Sequence, residues 1–172
     1  MVLKTHSKNS SKFSKQGGFT LVELLVASTV TLILLALAVV AYNPVERNKK
    51  QRDGKRISDI SKIDGAISEF MLDKKNYPDQ EGMLRLSTVL PAGSTSLNKS
   101  NKGWIFDNLS SYVSMLPTDP INNSTYHYSY IHGSSGYELD AKLEIYTDQM
   151  INDGGNDDTM YEVGTNLNLI SP

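Results

Sequence analysis

The sequence predicts an α+β protein in which a long N-terminal helix carries a small antiparallel β-sheet on its C-terminal half. An apolar run from Phe19 to Tyr42 holds a single formal charge, and an amphipathic pattern follows it as far as Lys75. Short segments nearer the C-terminus alternate apolar and polar residues between turn-forming residues, which predicts the sheet. The expected segments are an apolar half-helix over 19–42, an amphipathic half-helix over 43–75 and a globular head over 76–172.

Composition and charge narrow the possible functions. The 172 residues carry a net charge of −2 at pH 7, which argues against a nucleic-acid partner because binding nucleic acid needs a basic surface. The chain contains no cysteine, so disulfides cannot stabilise the head, and we expect another stabilising device in so small a domain. Four lysines precede the apolar run with no acidic residue among them: Lys4, Lys8, Lys12 and Lys15.

The apolar run is long enough to cross a bilayer as a helix, which leaves three interpretations. It can be a secretory signal cleaved after the small-x-small sequence that ends at Ala38. It can be a plain membrane anchor with its lysines on the inner side, or a more specialised segment. Glu23 favours the third interpretation, because an ionisable group in lipid costs about 2.5–3.5 kcal/mol on insertion scales and usually has a functional partner.

The stretch "GGFTLVELLVASTVTLILLALAVVAY" resembles the N-terminal segment of type IV pilins and type II secretion pseudopilins, and the resemblance is strong over 15–42. It implies that residues 1–18 are a leader, which a prepilin peptidase removes by cutting after Gly18. The same enzyme would methylate the new N-terminal residue, Phe19. Glu23 is then the fifth residue of the mature chain, the position at which the family has a glutamate.

Elementary chemistry is consistent with these implied roles. Gly18 has no side chain, so a protease can hold the backbone there extended and close. Cleavage creates a cationic amine on Phe19, at a membrane depth similar to that of the Glu23 carboxylate. We hypothesise that the amine of an arriving subunit pairs with Glu23 of its neighbour, because a buried charge is tolerated only with a partner.

The pattern beyond the apolar run predicts a kink followed by an amphipathic helix. Pro44 removes one helical hydrogen bond, so a kink is expected near 40–44. Asn76-Tyr77-Pro78 is expected to end the helix. An apolar stripe follows the kink: Ile57, Ile60, Ile63, Ile67, Phe70 and Met71. A basic cluster can be a solvated face or a contact for lipid headgroups and acidic neighbours: Arg47, Lys49, Lys50, Arg52, Lys55 and Arg56.

The head is predicted to begin with loops. A short helix is possible over 81–90, and Trp104, Ile105 and Phe106 are expected to pack on the helix stripe. The turn "LPTDP" at 116–120 resembles the Leu-Pro-x-Asp-Pro turn that precedes the sheet in major pseudopilins.

Three strands are expected after this turn, at 126–131, 137–143 and 160–164, with a turn at 132–136 between the first two. In the second strand the alternation places Tyr137 and Leu139 inward, and Glu138, Asp140 and Lys142 outward.

The stretch "NDGGNDD" is a candidate calcium site. Asp153, Asn156, Asp157 and Asp158 offer the carboxylate and amide oxygens that calcium prefers. The resemblance supports this interpretation, because major pseudopilins carry a calcium ion in an Asp-rich loop between the last strands. A solvated acidic turn is the alternative. His127 and His132 are expected at the surface rather than on zinc.

The sequence as a whole predicts a structural subunit rather than an enzyme, because it contains no G-x-S-x-G or H-E-x-x-H motif. The resemblance implies an inner-membrane precursor that joins a periplasmic or extracellular filament. Its partners would be copies of itself, minor subunits, prepilin peptidase, the membrane and the inner-membrane assembly platform. The alternative is a membrane-anchored periplasmic or extracellular domain that binds a ligand or carries an unrecognised active site.

Overall fold

The computed structural model describes residues 17–172, so most of the predicted leader, including its four lysines, lies outside the described residues. The chain divides into two compact units at the junction between Asn43 and Pro44. Each unit is described here by itself.

The first unit contains one helix, α1, over Leu21–Tyr42. It forms because Thr20 caps its first turn and no glycine or proline interrupts the run that follows. It ends at Asn43, which adopts a left-handed conformation with φ 35°. The expected break near 40–44 is confirmed.

The second unit opens with α2 over Pro44–Lys74. Proline suits the first position of a helix, since its missing N–H would have no helical acceptor there. Lys75 has φ 63° and closes the helix in a left-handed conformation. The predicted stripe is buried at its centre and half-buried at its two ends, Ile57 and Met71. The buried members are Ile60, Ile63, Ile67 and Phe70.

A four-stranded antiparallel sheet follows, in the order β1-β2-β3-β4. Its strands are β1 Arg85–Leu86, β2 Tyr128–Gly133, β3 Gly136–Ala141 and β4 Tyr161–Gly164. A short helix, α3 (Thr147–Ile151), lies between β3 and β4. The α+β architecture predicted from the sequence is confirmed.

The short helix expected over 81–90 is wrong, because this segment forms β1 at the edge of the sheet. Two backbone hydrogen bonds hold it there: Gly82 N donates to His132 O over 2.8 Å, and Ser87 N donates to Tyr128 O over 2.8 Å. Pairing with a distant strand therefore overrides the local helical preference.

The strand expected over 126–131 begins two residues later and extends through Gly133. Tyr126 lies outside it, with the Arg56 guanidinium 4.7 Å from its ring centroid. The expectation of a surface His132 is also wrong. Its ring is buried in β2 between Tyr77 and Tyr130, and its Nε2 lies 3.1 Å from Asp79 O.

One face of the sheet and the α2 stripe enclose the hydrophobic core. The predicted packing of Trp104 and Ile105 is observed, and the Trp104 indole donates to Pro117 O in the "LPTDP" turn over 2.8 Å. Phe106 is half-buried outside this core, with Lys102 Nζ 5.6 Å from its ring centroid. The remaining core side chains come from the loops and strands: Leu109, Leu116, Tyr128, Tyr130, Tyr137, Leu139 and Ala141.

Two arginines of the basic cluster contact acidic side chains of this chain, and Arg56 is too deeply buried to form a solvated face or to contact lipid. Arg56 is 0% exposed and donates to Asp119 over 2.6 Å, to Asp53 over 2.8 Å and to Glu144 over 2.7 Å. Arg52 pairs with Glu144 through two hydrogen bonds of 2.6 Å each. These arginines therefore tie α2 to the "LPTDP" turn and to the chain after β3.

Candidate functional site

The predicted processing bond, Gly18–Phe19, lies in exposed chain immediately before α1. Gly17 and Gly18 have no regular secondary structure, and a Cβ added to either would meet nothing within 4 Å. The Phe19 side chain is 90% exposed. A protease therefore has open access to this bond in the described chain.

Glu23 forms a capping box with Thr20 at the start of α1. Thr20 N donates to Glu23 Oε2 over 2.8 Å, and the Thr20 hydroxyl donates to the same oxygen over 2.9 Å. In return, Glu23 N donates to Thr20 Oγ1 over 3.2 Å. The pattern Thr-x-x-Glu before an apolar run is the sequence signal for this motif, and our sequence analysis missed it.

The surface of α1 is apolar on every side. Its large apolar side chains are at least half exposed, from Val30 at 50% to Leu21 at 79%. The hydroxyl groups inside the run form hydrogen bonds within the helix. Those of Ser28, Thr29 and Thr31 donate to backbone carbonyls of α1 over 2.8–2.9 Å.

The stretch Leu21–Lys74 contains an 18-residue window of mean hydropathy 2.7, none of it buried. By length and composition this is the one candidate membrane span in the described part of the chain.

Among the residues that the structure describes, Asp153, Asp157 and Asp158 of the acidic loop do not form a close group of three carboxylates. Asp153 accepts hydrogen bonds from Gly155 N over 2.9 Å and from Glu162 N over 2.8 Å. Asp157 Oδ1 accepts from the backbone and hydroxyl of Thr159. Asn156 donates its amide to Ile170 O, and Asp158 is exposed. Most of these side chains therefore shape the loop and hold it against β4.

The structure instead brings together three carboxylates from the strands beneath this loop. Glu138 and Asp140 on β3 and Glu162 on β4 have ligand oxygens that all lie within 4.8 Å of one another. The register explains this, because Asp140 pairs directly with Glu162 and Glu138 lies two residues before Asp140 on the same face.

These strand carboxylates point away from the core yet are buried, which corrects the expectation that Glu138 and Asp140 face solvent. Glu138 is 0% exposed, Asp140 is 2% exposed and Glu162 is 3% exposed. The acidic loop and the C-terminal segment cover them. Leu169 N and Ile170 N donate to Glu138 Oε2 over 2.6 Å and 2.8 Å. Asp157 N donates to Glu162 Oε2 over 3.0 Å.

Two oxygens in this buried cluster have no hydrogen-bond partner, Glu138 Oε1 and Asp140 Oδ1. Burial, together with the charges of Glu138 and Glu162, raises the pKa of Asp140 to about 8. Burial also raises the pKa of Glu162, and the neighbouring Glu138 adds to the effect. The cluster thus has the chemistry of a site for a hard cation, since its ligands are oxygen atoms and no basic side chain within residues 17–172 forms a salt bridge with it.

His127 and His132 contact backbone carbonyls. Among residues 17–172, neither His127 nor His132 joins a group of three potential ligands. His127 Nδ1 lies 3.2 Å from Asn123 O, and His132 contacts Asp79 O as described above.

Known proteins resemble both parts of the chain. Residues 13–39 match the prokaryotic N-terminal methylation motif, and residues 43–158 match the family described as type II secretion system (T2SS), protein G. No solved structure matches the chain significantly.

Three curated proteins named type II secretion system core protein G illustrate the similarity. The Aeromonas hydrophila protein is 28% identical over 84% of this chain and 90% of its own length. The Escherichia coli K12 protein is 30% identical over 63% of this chain and 69% of its own length. The Pseudomonas aeruginosa protein is 33% identical over 63% of this chain and 70% of its own length.

Proposed function

Because the chain belongs to the type II secretion system protein G family, we propose that it is a structural subunit of a periplasmic pseudopilus, assembled from precursors held in the inner membrane. The observation that carries this proposal is α1, a helix with an apolar surface on every side and one carboxylate in its first turn. Such a surface is stable in lipid or among copies of the same helix, and unfavourable in water.

A pseudopilus fits better than an adhesive type IV pilus, since the family is that of a secretion-system component. Membership of this family also supports a non-enzymatic role, as the sequence predicted. We assign residues 1–18 to the leader, 19–42 to the membrane span and filament core, 43–75 to the amphipathic continuation of the helix, and 76–172 to the globular head.

In this proposal prepilin peptidase cuts the exposed bond after Gly18 and methylates Phe19. The methylation motif that matches residues 13–39 supports this step. The mature subunit then meets copies of itself, minor pseudopilins and the inner-membrane assembly platform. Lipid surrounds α1 before assembly, and neighbouring helices surround it afterwards.

Glu23 acts as the assembly residue in this scheme. Its carboxylate is held at the start of α1 by Thr20, so its position is fixed relative to the new N-terminus. The cationic amine of Phe19 on an arriving subunit neutralises it, and an unpaired Glu23 penalises any other register because a buried charge without a partner is unfavourable.

Filament incorporation tests this role. Cells that express the chain with its secretion machinery are sheared, and the amount of subunit in the filament fraction is compared with the amount in the membrane. Glu23→Ala is expected to leave the subunit in the membrane, while Glu69→Ala, at an exposed position on α2, assembles normally. Assembly of Glu23→Ala at the wild-type level would defeat the proposed role.

We also propose that the head binds a calcium ion beside the acidic loop. The supporting observation is the buried cluster of Glu138, Asp140 and Glu162, which contains two unpartnered oxygens and lies directly beneath Asp153 and Asp157. Bound calcium would neutralise these charges and tether a head that has no disulfide.

A further inference from the structure

We propose that a cleft beside β1 binds a lysine or arginine side chain carried by an extended peptide segment of a partner protein. The cleft has a volume of about 570 Å³ and lies between the start of β1, the loop at Pro91 and Ala92, and the loop at Phe106 and Asp107. This volume is within the range of small-ligand pockets. None of its lining residues belongs to α1 or to the acidic loop, so the cleft is separate from the sites proposed above.

Asp107 gives the cleft a carboxylate that the chain itself does not neutralise. It is half-buried, and its Oδ2 accepts a hydrogen bond from Asp79 N over 2.8 Å. No lysine, arginine or histidine in residues 17–172 forms a salt bridge with it. The charged residues that line the cleft are Asp79, Arg85 and Asp107, which sum to one negative charge. A cationic group is therefore the complementary ligand.

The cleft is already formed in the structure, because Asp79 joins its walls. The Asp79 Oδ2 atom accepts from Arg85 Nε over 2.7 Å and from Phe106 N over 2.8 Å, so it links the start of β1 to the loop that carries Asp107. Asp79 has φ 75°, a left-handed conformation that is uncommon outside glycine and persists only where surrounding contacts enforce it. Asp79 is therefore a positioning residue, and Asp107 is the group that meets the ligand.

Arg85 presents unused hydrogen-bond donors beside this carboxylate. Its Nε and Nη2 atoms donate to Asp79, and its Nη1 has no hydrogen-bond partner among the described residues. The side chain is 18% exposed, so solvent and ligands can reach it. Arginine donors suit a carbonyl oxygen. A basic residue within a peptide supplies both a cation for Asp107 and a backbone carbonyl for Arg85, which a simple amine does not.

The walls of the cleft suit the aliphatic part of a long basic side chain. Met83 is 38% exposed there, and the half-buried Phe106 ring lies opposite Pro91 and Ala92 across the lining. Lysine and arginine pack their methylene groups on such surfaces while the charged end reaches a polar partner. Because β1 is the terminal strand of the sheet, an extended segment can lie along its outer edge while one side chain enters the cleft.

Peptide titration of the full chain in detergent tests this proposal. Backbone amide signals of isotope-labelled protein are followed by NMR while acetyl-Val-Lys-Val-amide is added, and the titration is repeated with acetyl-Val-Glu-Val-amide. The lysine peptide is expected to shift the signals of Met83, Arg85 and Phe106. The glutamate peptide is expected to bind at least about tenfold more weakly, because its carboxylate would meet the like charge of Asp107.

Two variants test the cleft by different means. Asp107→Asn removes the charge but keeps the oxygen that accepts from Asp79 N, and it is expected to weaken binding of the lysine peptide about tenfold. Ala92→Phe places a large side chain at an exposed position of the lining and removes no side-chain hydrogen bond, so it is expected to abolish the shifts. The matched control is Asp158→Asn, which removes an exposed carboxylate elsewhere and should bind as wild type does.

Three results would overturn the proposal. The first is a lysine peptide that leaves the cleft signals unchanged at millimolar concentration, or shifts only the signals of the acidic loop around Asp157. The second is equal affinity for the lysine and glutamate peptides. The third is a change of the cleft signals with protein concentration in the absence of peptide, since the occupant would then be a second copy of this chain.

Discussion

Gly155 in the acidic loop lies so close to Glu162 on β4 that a Cβ on the glycine would be 1.8 Å from the carboxylate oxygen Oε2. A Cβ at this position would therefore force the buried Glu162 carboxylate to move, and the glycine permits the close approach through its small size rather than through a left-handed φ. The acidic loop and the buried cluster consequently form one packed structure.

Gly155→Ala should accordingly disturb both the loop and the cluster. We expect a loss of about 1–3 kcal/mol in the free energy of unfolding, the usual effect of overpacking a filled site, together with weaker calcium binding. Urea unfolding in calcium-free and calcium-containing buffer measures both effects.

The matched control is Gly65→Ala on α2, where a Cβ meets nothing within 4 Å. Alanine in a helix is favoured over glycine by up to about 1 kcal/mol, so this variant should be as stable as wild type or more stable. A Gly155→Ala chain with wild-type stability and calcium affinity would show that the loop does not hold Glu162.

The acid stability of the head should depend on Glu144. Hydrogen bonds from Arg52, followed by those from Arg56, lower the pKa of Glu144 from 4.5 to about 2. A carboxylate with a depressed pKa in the folded state contributes stability above its unfolded pKa, and that contribution is lost as the pH falls through the folded value. The head should therefore lose this stabilisation between about pH 4.5 and pH 2.

Glu144→Gln removes the same contribution at neutral pH. We expect the variant to be about 1–3 kcal/mol less stable than wild type at pH 7, the scale of hydrogen bonds to a charged group, and the difference to shrink towards pH 2. Denaturant unfolding at several pH values measures this difference, with Glu69→Gln on the exposed face of α2 as control. A difference between Glu144→Gln and wild type that did not change with pH would contradict the ion-pair account.

The capping box should contribute to assembly through Thr20. Thr20→Ala removes the hydroxyl that donates to Glu23 and accepts from its backbone N–H. Loss of such a cap costs about 0.5–2 kcal/mol, so the first turn of α1 should fray and Glu23 should lose its fixed position. We expect less subunit in the sheared filament fraction, and recovery in Thr20→Ser, which keeps the hydroxyl. Equal incorporation of Thr20→Ala and Thr20→Ser would remove the cap from the mechanism.

Local patterns in the sequence predicted the helices and the two faces of the sheet. Pro44 indicated a break in the long helix, and the spacing of Ile60, Ile63 and Ile67 indicated the buried stripe, because each signal depends on neighbours within a few residues. The strand alternation likewise placed Glu138 and Asp140 on the face opposite the core.

The alternation of apolar and polar residues could not predict that the face of the sheet opposite the core is buried as well. Glu138 and Asp140 are covered by segments that lie more than ten residues further along the chain, and nothing in "YELDAKL" encodes that cover. Arg56 is a similar case. It occurs in a basic run that is typical of an exposed helix face. Asp119 and Glu144, which lie 63 and 88 residues further along the chain, nevertheless form hydrogen bonds with it.

The mass of the mature N-terminus tests the central claim most directly. The full chain is produced with and without an active prepilin peptidase, purified from membranes and analysed by mass spectrometry of its N-terminal peptide. The account predicts a peptide that begins at N-methylated Phe19 when the peptidase is active, and an uncut chain when it is not. A chain that begins at Val39, or one that keeps residues 1–18 in the presence of active peptidase, would contradict it.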